Sequence, residues 1–330
     1  MIRKIAVLTS GGDCQGMNAC LNIIVKMAEF NYISVYGVKN GYQGLIDNDI
    51  VELKYNDVRN ISHLGGTVLK SARSQEFMTL EGQKKAAKNL KDREIDALIV
   101  IGGDGSFRGV MALNSLGVKT AAIPGTIDND LHFTESTLGF DTAVNVAANA
   151  IESIKQTMAA LDRCSVIEVM GRNCGAIALH SAAACCAEVV VLQEKPFTRR
   201  KIVRAIKRAK DRGIDSPTVV VAENLFDIKE LAKEIETTLG IETKTSVLGY
   251  IQRGGAPSVA DRILAMQYGV KAIELLVSGK FNRAIGIKNG KIIDVSMEAA
   301  IDTNSNFNEV LFDLFSKLNS YNDEDDDFVD

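Results

Sequence analysis

Residues 97–106 read ALIVIGGDGS. An unbroken aliphatic run stopped by paired glycines predicts a strand buried on both faces, followed by a tight turn into a helix. The same pattern recurs along the chain. KIAVLTS (4–10), ALIVIGG (97–103), KTAAIPG (119–125), CSVIEVMG (164–171), EVVVL (188–192), PTVVVAEN (217–224) and KTSVLGY (244–250) read as strands. Amphipathic stretches separate them, as in RRKIVRAIKRAKDR (199–212), where Ile202, Ile206 and Ala209 share one helical face. Such alternation predicts an α/β fold with mostly parallel sheets, in which ligands sit at the carboxyl ends of strands. The unusual Gly and Asp clusters all fall there. SGGDCQG follows the first strand, GGDGS the strand from 97, GTIDND that from 119, GRNCG that from 164 and IQRGG that from 244, so these loops are expected to line one crevice.

With 330 residues the chain has room for two domains and a large core. It is 46% hydrophobic and 24% charged with a formal charge of -4, which gives no overall attraction to a polyanion. The apolar run from Ile5 to Leu8 is too short for a secretory segment, and the longest apolar region, Ala176 to Leu192, is broken by His180, Ser181 and Glu188. Cysteines at 14, 20, 164, 174, 185 and 186 form no C-x-x-C pair, and the three histidines are scattered. A cytoplasmic protein with reduced thiols and no membrane partner is therefore expected. The eight basic residues of 199–212 lack interleaved aromatics, so a solvated helix face is expected rather than nucleic-acid binding. The segment NDEDDDFVD (322–330) is expected to be disordered and solubilising, with docking on that basic helix as the alternative.

The loops carry the chemistry. PGTIDND (124–130) places Asp128 and Asp130 in one turn; both residue types are ordinary turn formers, and both are acid/base or metal-binding groups. Gly11, Gly12 and Gly16 suit close phosphate approach or tight strand-to-helix packing, but match neither the dinucleotide fingerprint nor the P-loop. In GGDGS, Asp104 offers one carboxylate, enough for a magnesium ion that also holds nucleotide phosphates, while Ser106 reads as a helix cap. Arg73, Arg163, Arg172 and Arg253 each adjoin a Gly-rich or strand-end segment, the addresses at which phosphoryl transfer needs positive charge.

Six segments in this order, GGDCQGMNA, GGTVLKSAR, IGGDGS, PGTIDND, VMGRNCG and GYIQRGG, closely resemble the bacterial-type ATP-dependent 6-phosphofructokinases over residues 1–319. The resemblance implies the phosphofructokinase fold, two three-layer αβα domains, here 1–138 with 251–303 and 139–250 with 304–319, leaving 320–330 as an acidic tail. It implies a homotetramer with shared active sites that phosphorylates the 1-hydroxyl of fructose 6-phosphate from magnesium-bound ATP. Position by position, it makes Asp128 the base, with Thr126 and Asp130 ordering its loop. Asp104 is the magnesium-linked residue, and Gly12, Arg73, Ser74, Gly103, Gly105 and Ser106 complete the nucleotide site. Arg172 stabilises the moving phosphoryl group. Met170, Gly171, Glu223, Lys244, Tyr250 and Arg253 fall at sugar-phosphate positions, and Arg163 reaches across a subunit interface. Pyrophosphate-using relatives generally carry an acidic residue at position 105 and a lysine at 125, so the glycines here favour ATP.

Some positions depart from the family pattern. Lys244 replaces an arginine and Tyr250 a histidine in the sugar site, and Gln15 and Lys70 replace the more usual Pro and Gly near the nucleotide and sugar loops. Lysine keeps the charge but loses the bidentate fork, so altered phosphate binding is expected. A kinase for tagatose 6-phosphate or sedoheptulose 7-phosphate is the nearest rival, and a non-catalytic regulatory subunit the next. At the family's effector site, Asn22, Tyr55, Ile214 and Asp215 stand at positions usually basic (at 215, basic or His), while Lys26, Lys155 and Arg212 keep charge. Weak or absent effector control is expected.

Overall fold

The computed structural model describes residues 2–301 and 307–319; the acidic segment 322–330 and the expected domain limit at 303–304 lie outside them. The chain forms two compact units. One takes the chain through Thr142 and again from Arg253; the other takes Ala143–Gln252 and resumes at Phe307. In chain order the strands are β1 (Lys4–Ser10), β2 (Ser34–Val38), β3 (Ile50–Leu53), β4 (Ala97–Gly102), β5 (Thr120–Pro124), β6 (Cys164–Val169), β7 (Val189–Val191), β8 (Thr218–Ala222), β9 (Thr243–Val247), β10 (Arg283–Lys288) and β11 (Lys291–Ser296).

The first unit is built on a seven-stranded sheet in the order β11-β10-β5-β4-β1-β2-β3. Its interior pairs are parallel, and the edge strands β3 and β11 are antiparallel to their neighbours. Ala6, Leu8, Leu98 and Val100 point into one core with Tyr42, Leu45, Phe107 and Val110 from helices Gly41–Asp47 and Asp104–Ser115. The alternate residues Ile5, Val7, Ile99 and Ile101 are equally buried, which is the two-faced burial of a doubly covered sheet. The register pairs Ser10 with Gly102 and Gly102 with Pro124. The loops after β1, β4 and β5 therefore leave one edge side by side.

The second unit carries a parallel four-stranded sheet, β7-β8-β6-β9. Val166, Val219 and Val221 pack against Ile202, Ile206, Leu231 and Ile235. Ile202, Ile206 and Ala209 are all buried on the inner face of helix Arg199–Asp211, as their spacing predicts. Thr198 caps that helix by accepting from the Lys201 amide at 3.3 Å. The five ligand-type loops thus follow strands of two sheets: three follow strands of the first, and GRNCG and IQRGG follow β6 and β9 of the second.

Each predicted strand is present: β1 keeps its predicted limits, β9 begins one residue earlier than predicted and ends three earlier, and the other five are shorter by one to three residues. Among the described residues there are four more strands, β2, β3, β10 and β11. Ser106 is not a helix cap: the helix starts at Asp104 with Gly103 as its cap, and no side chain caps it.

Candidate functional site

The first unit opens a cleft of about 420 Å³ lined by Gly11, Gly12, Asp13, Thr67, Lys70 to Arg73 and Arg253. Gly11 needs its glycine because its φ is +86°, and at Gly12 an added Cβ would lie 3.1 Å from the Arg253 guanidinium carbon. The arginine therefore lies directly over the turn after β1. Arg253 and Arg73 both line this cleft, so it is a positively charged recess. Ser74 is differently placed: its hydroxyl donates to Gln43 Oε1 at 2.6 Å and accepts from the Phe77 amide at 3.0 Å.

From the cleft the site continues to the start of helix Asp104–Ser115. A Cβ at Gly11 would be 3.5 Å from Ser106 Oγ, and one at Gly103 would be 3.4 Å from Thr126 Cβ. Ser106 is buried, and its carbonyl accepts the Tyr42 hydroxyl at 2.6 Å. Gly105 is exposed, and a Cβ there would meet nothing within 4 Å. Packing does not demand glycine at 105, whereas at buried Gly125 a Cβ would come 2.9 Å from Ile101. The helix N-terminus presents backbone N–H groups and the positive end of the macrodipole, an anion-favouring arrangement. Asp104 occupies its first turn, with Arg108 Nε 3.2 Å away one turn later. Among the described residues no group of three or more His, Cys, Asp or Glu side chains could hold a metal by itself. A magnesium ion bound by one carboxylate, phosphates and water fits that donor set; a protein-only cage does not.

The loop after β5 is tied down by its own side chains. Thr126 Oγ accepts the Asp128 amide at 3.1 Å, Thr137 Oγ donates to the Thr126 carbonyl at 2.6 Å, and Asn129 Oδ1 accepts the Thr137 amide at 3.0 Å. Asn129 sits at φ +52°, a left-handed geometry that asparagine tolerates. Asp128 ends up 8% exposed, close to bulk water but not in it, and Asp130 is half-buried. Burial, reinforced by the carboxylates of Asp261, Asp13 and Asp128, pushes the adjacent Cys14 thiol well up, so it is a neutral packing residue.

The second unit separates the remaining predicted residues into two groups. At the carboxyl edge of its sheet, Glu223 Oε1 accepts the Gly171 amide at 3.1 Å and the Arg172 amide at 2.6 Å. Met170 donates its amide to Gln252 Oε1 at 3.3 Å. Arg172 is exposed at φ +59°, and Tyr250 is 79% exposed. At the opposite, amino edge, Arg163 precedes β6 and Lys244 lies on β9, where Ser165 pairs with Lys244. There Glu242 joins them, Arg163 Nε at 2.6 Å and Lys244 Nζ at 2.8 Å. These contacts, Lys244 first, hold the Glu242 carboxyl below its usual range. Within one chain, Lys244 therefore lies at the opposite edge of this sheet from Arg172 and Glu223. Sequence reasoning missed Glu242 and Gln193, whose contacts join residues far apart in the chain.

The chain matches the family profile PFK: Phosphofructokinase over residues 4–276. It is 47% identical over 317 residues to the ATP-dependent 6-phosphofructokinase of Clostridium botulinum (strain Hall), covering 96% of this chain and 99% of that protein. To the ATP-dependent 6-phosphofructokinase 1 of Clostridium perfringens (strain 13) it is 45% identical over 318 residues, covering 96% and 100%. Among solved structures, phosphofructokinase from Saccharomyces cerevisiae superposes with a TM-score of 0.82 at 30% identity. That match covers 97% of this chain, which spans about half of the yeast chain (47%).

Proposed function

The chain belongs to the phosphofructokinase family, and from that membership we propose that it transfers the γ-phosphoryl group of ATP to the 1-hydroxyl of fructose 6-phosphate, giving fructose 1,6-bisphosphate, the committed step of glycolysis. The observation that carries this reading is the continuity of the first unit's site: a cationic cleft, a helix N-terminus bearing Asp104, and a side-chain-locked loop holding a nearly buried Asp128.

Gly12, Arg73, Gly103, Gly105 and Ser106 take the nucleotide, with the phosphates toward the helix N-terminus. The open space over Gly105 favours ATP over a smaller donor. Asp104 is assigned the magnesium ion, which supplies charge neutralisation on the phosphates. Asp128 accepts the proton of the sugar hydroxyl, a role that asks for hydrogen-bond reach and a fixed rotamer more than for high basicity. Thr126 and Asp130 order that loop, and Arg172 neutralises the moving phosphoryl group. Met170, Gly171, Glu223, Tyr250 and Arg253 are assigned to the sugar phosphate.

Arg163 and Lys244 lie at the other edge of the second sheet, which supports their serving a neighbouring subunit's sugar phosphate in a homotetramer. The lysine in place of arginine keeps tagatose 6-phosphate and sedoheptulose 7-phosphate as rival acceptors. ADP release measured with each acceptor, with ATP and pyrophosphate in parallel, tests the reading. The highest kcat/KM is expected for ATP with fructose 6-phosphate; preference for another acceptor or donor would replace it, and no turnover with any would leave a regulatory protein.

A further inference from the structure

Arg172 owes its placement to an unusual turn. It adopts a left-handed backbone at φ +59°, after Gly171 at φ +149°, where an added Cβ would collide with the Cys174 carbonyl. Non-glycine residues hold such geometry only when their surroundings over-determine it. From below, Glu223 Oε1 accepts the amides of Gly171 and Arg172. The Cys174 amide closes the turn onto the Gly171 carbonyl at 2.9 Å. Just past the turn, Glu194 Oε1 accepts the Gly175 amide at 2.9 Å.

The carbonyl of Arg172 is held by a residue outside the turn. Gln193, two residues beyond β7, donates Nε2 to the Arg172 carbonyl at 3.0 Å and to the Glu223 carbonyl at 3.4 Å. Both partners are acceptors, so the amide can face them only with its NH2 group. Its other end, Oε1, is buried with no hydrogen-bond partner among the described residues. A buried amide oxygen without a partner is unfavourable and is kept only where the opposite end of the side chain is needed.

We propose that Gln193 is a positioning residue for phosphoryl transfer. It ties the Arg172 carbonyl to the end of β8, so that Glu223 holds the N–H and Gln193 the C=O of Arg172 while its side chain stays exposed. The inference rests on the role proposed for Arg172. Because the grip touches only backbone of the second unit, its loss should affect the chemical step and leave nucleotide capture, assigned to the first unit, unchanged.

The test uses the full chain with ATP and fructose 6-phosphate. Gln193→Glu keeps the shape and removes the donor; Gln193→Met keeps the length and removes both polar atoms. Each is expected to lower kcat about tenfold with KM for ATP within about twofold of the parent. In an Arg172→Ala background, followed by single turnover at high enzyme concentration, Gln193→Met is expected to add no further loss. Parental kcat in both single variants would overturn the inference. So would an undiminished loss in the Arg172→Ala background, since Gln193 would then act independently of Arg172. A parent protein that does not turn over removes the proposed activity; a working parent with unaffected variants removes this inference alone.

Discussion

Gly105 and Gly125 show how one residue type can be kept for two reasons. A side chain at 105 would enter open space, whereas one at 125 would press on Ile101 and the Met17 methyl. Gly105→Asp should therefore fold normally, with a melting temperature within about 2 °C of the parent, since surface changes usually stay within about ±0.5 kcal/mol. Its KM for ATP should rise at least about tenfold, because a carboxylate would stand in the proposed nucleotide site. Unchanged ATP kinetics would separate Gly105 from donor choice. Residues of this kind were legible in the sequence because glycine and aspartate clusters at strand ends are conspicuous. Glu242 and Gln193 were not, since a lone glutamate or glutamine has no local signature. Their meaning arises only when Arg163 and Lys244, or the carbonyls of Arg172 and Glu223, are brought to them.

Among the elements, the parallel strands announced themselves as aliphatic runs, while β2, β3, β10 and β11 did not. SVYGV and RAIGIK carry a glycine, and IVEL and KIIDVS carry charge, as expected of short strands near a sheet margin. The β10–β11 pair does carry a local turn signal. Asn289-Gly290 joins β10 to β11 with both residues at positive φ, the two-residue turn that matches strand twist. That hairpin is secured by Asp294, which takes Lys271 Nζ at 3.0 Å and Arg283 Nε at 2.8 Å. Burial alone would raise the Asp294 carboxyl, but the two cations outweigh it and the net shift is downward. A depressed carboxylate contributes stability above its unfolded value of about 3.9 and loses it as pH falls through the lower folded value. Asp294→Asn should cost about 1–2 kcal/mol at pH 7, since the groups are only partly buried. The gap between variant and parent in denaturant melts should narrow below about pH 4; a gap that stays constant there would disprove the ion-pair account.

At the scale of the whole molecule, the division of the predicted site residues between two units, and between two edges of the second sheet, was not legible because strand order is not written in any local pattern. It leads to an assembly prediction. Arg163→Ala and Asp128→Asn proteins, each nearly inactive, should regain activity when unfolded together and reassembled, because some sites would then draw intact residues from different subunits. No recovery beyond the separate proteins would contradict shared sites. Asn22 donates to the Val58 carbonyl at 2.8 Å, Lys26 lies 5.7 Å over the Tyr55 ring, and Lys155 donates to the carbonyls of Cys185 and Cys186. In the second unit Lys210 pairs with Asp215 at 3.2 Å. With these groups engaged, ADP should leave the fructose 6-phosphate saturation curve hyperbolic and unshifted, and a sigmoidal curve relieved by ADP would refute this. The central claim, that Asp128 removes the proton from the sugar alcohol, is tested most directly by the kcat of Asp128→Asn in the ADP-release assay. Asparagine preserves the loop's size and hydrogen bonding but cannot take a proton, so kcat should fall about 10²–10⁴-fold with KM for ATP nearly unchanged; turnover at the parental rate would contradict the account.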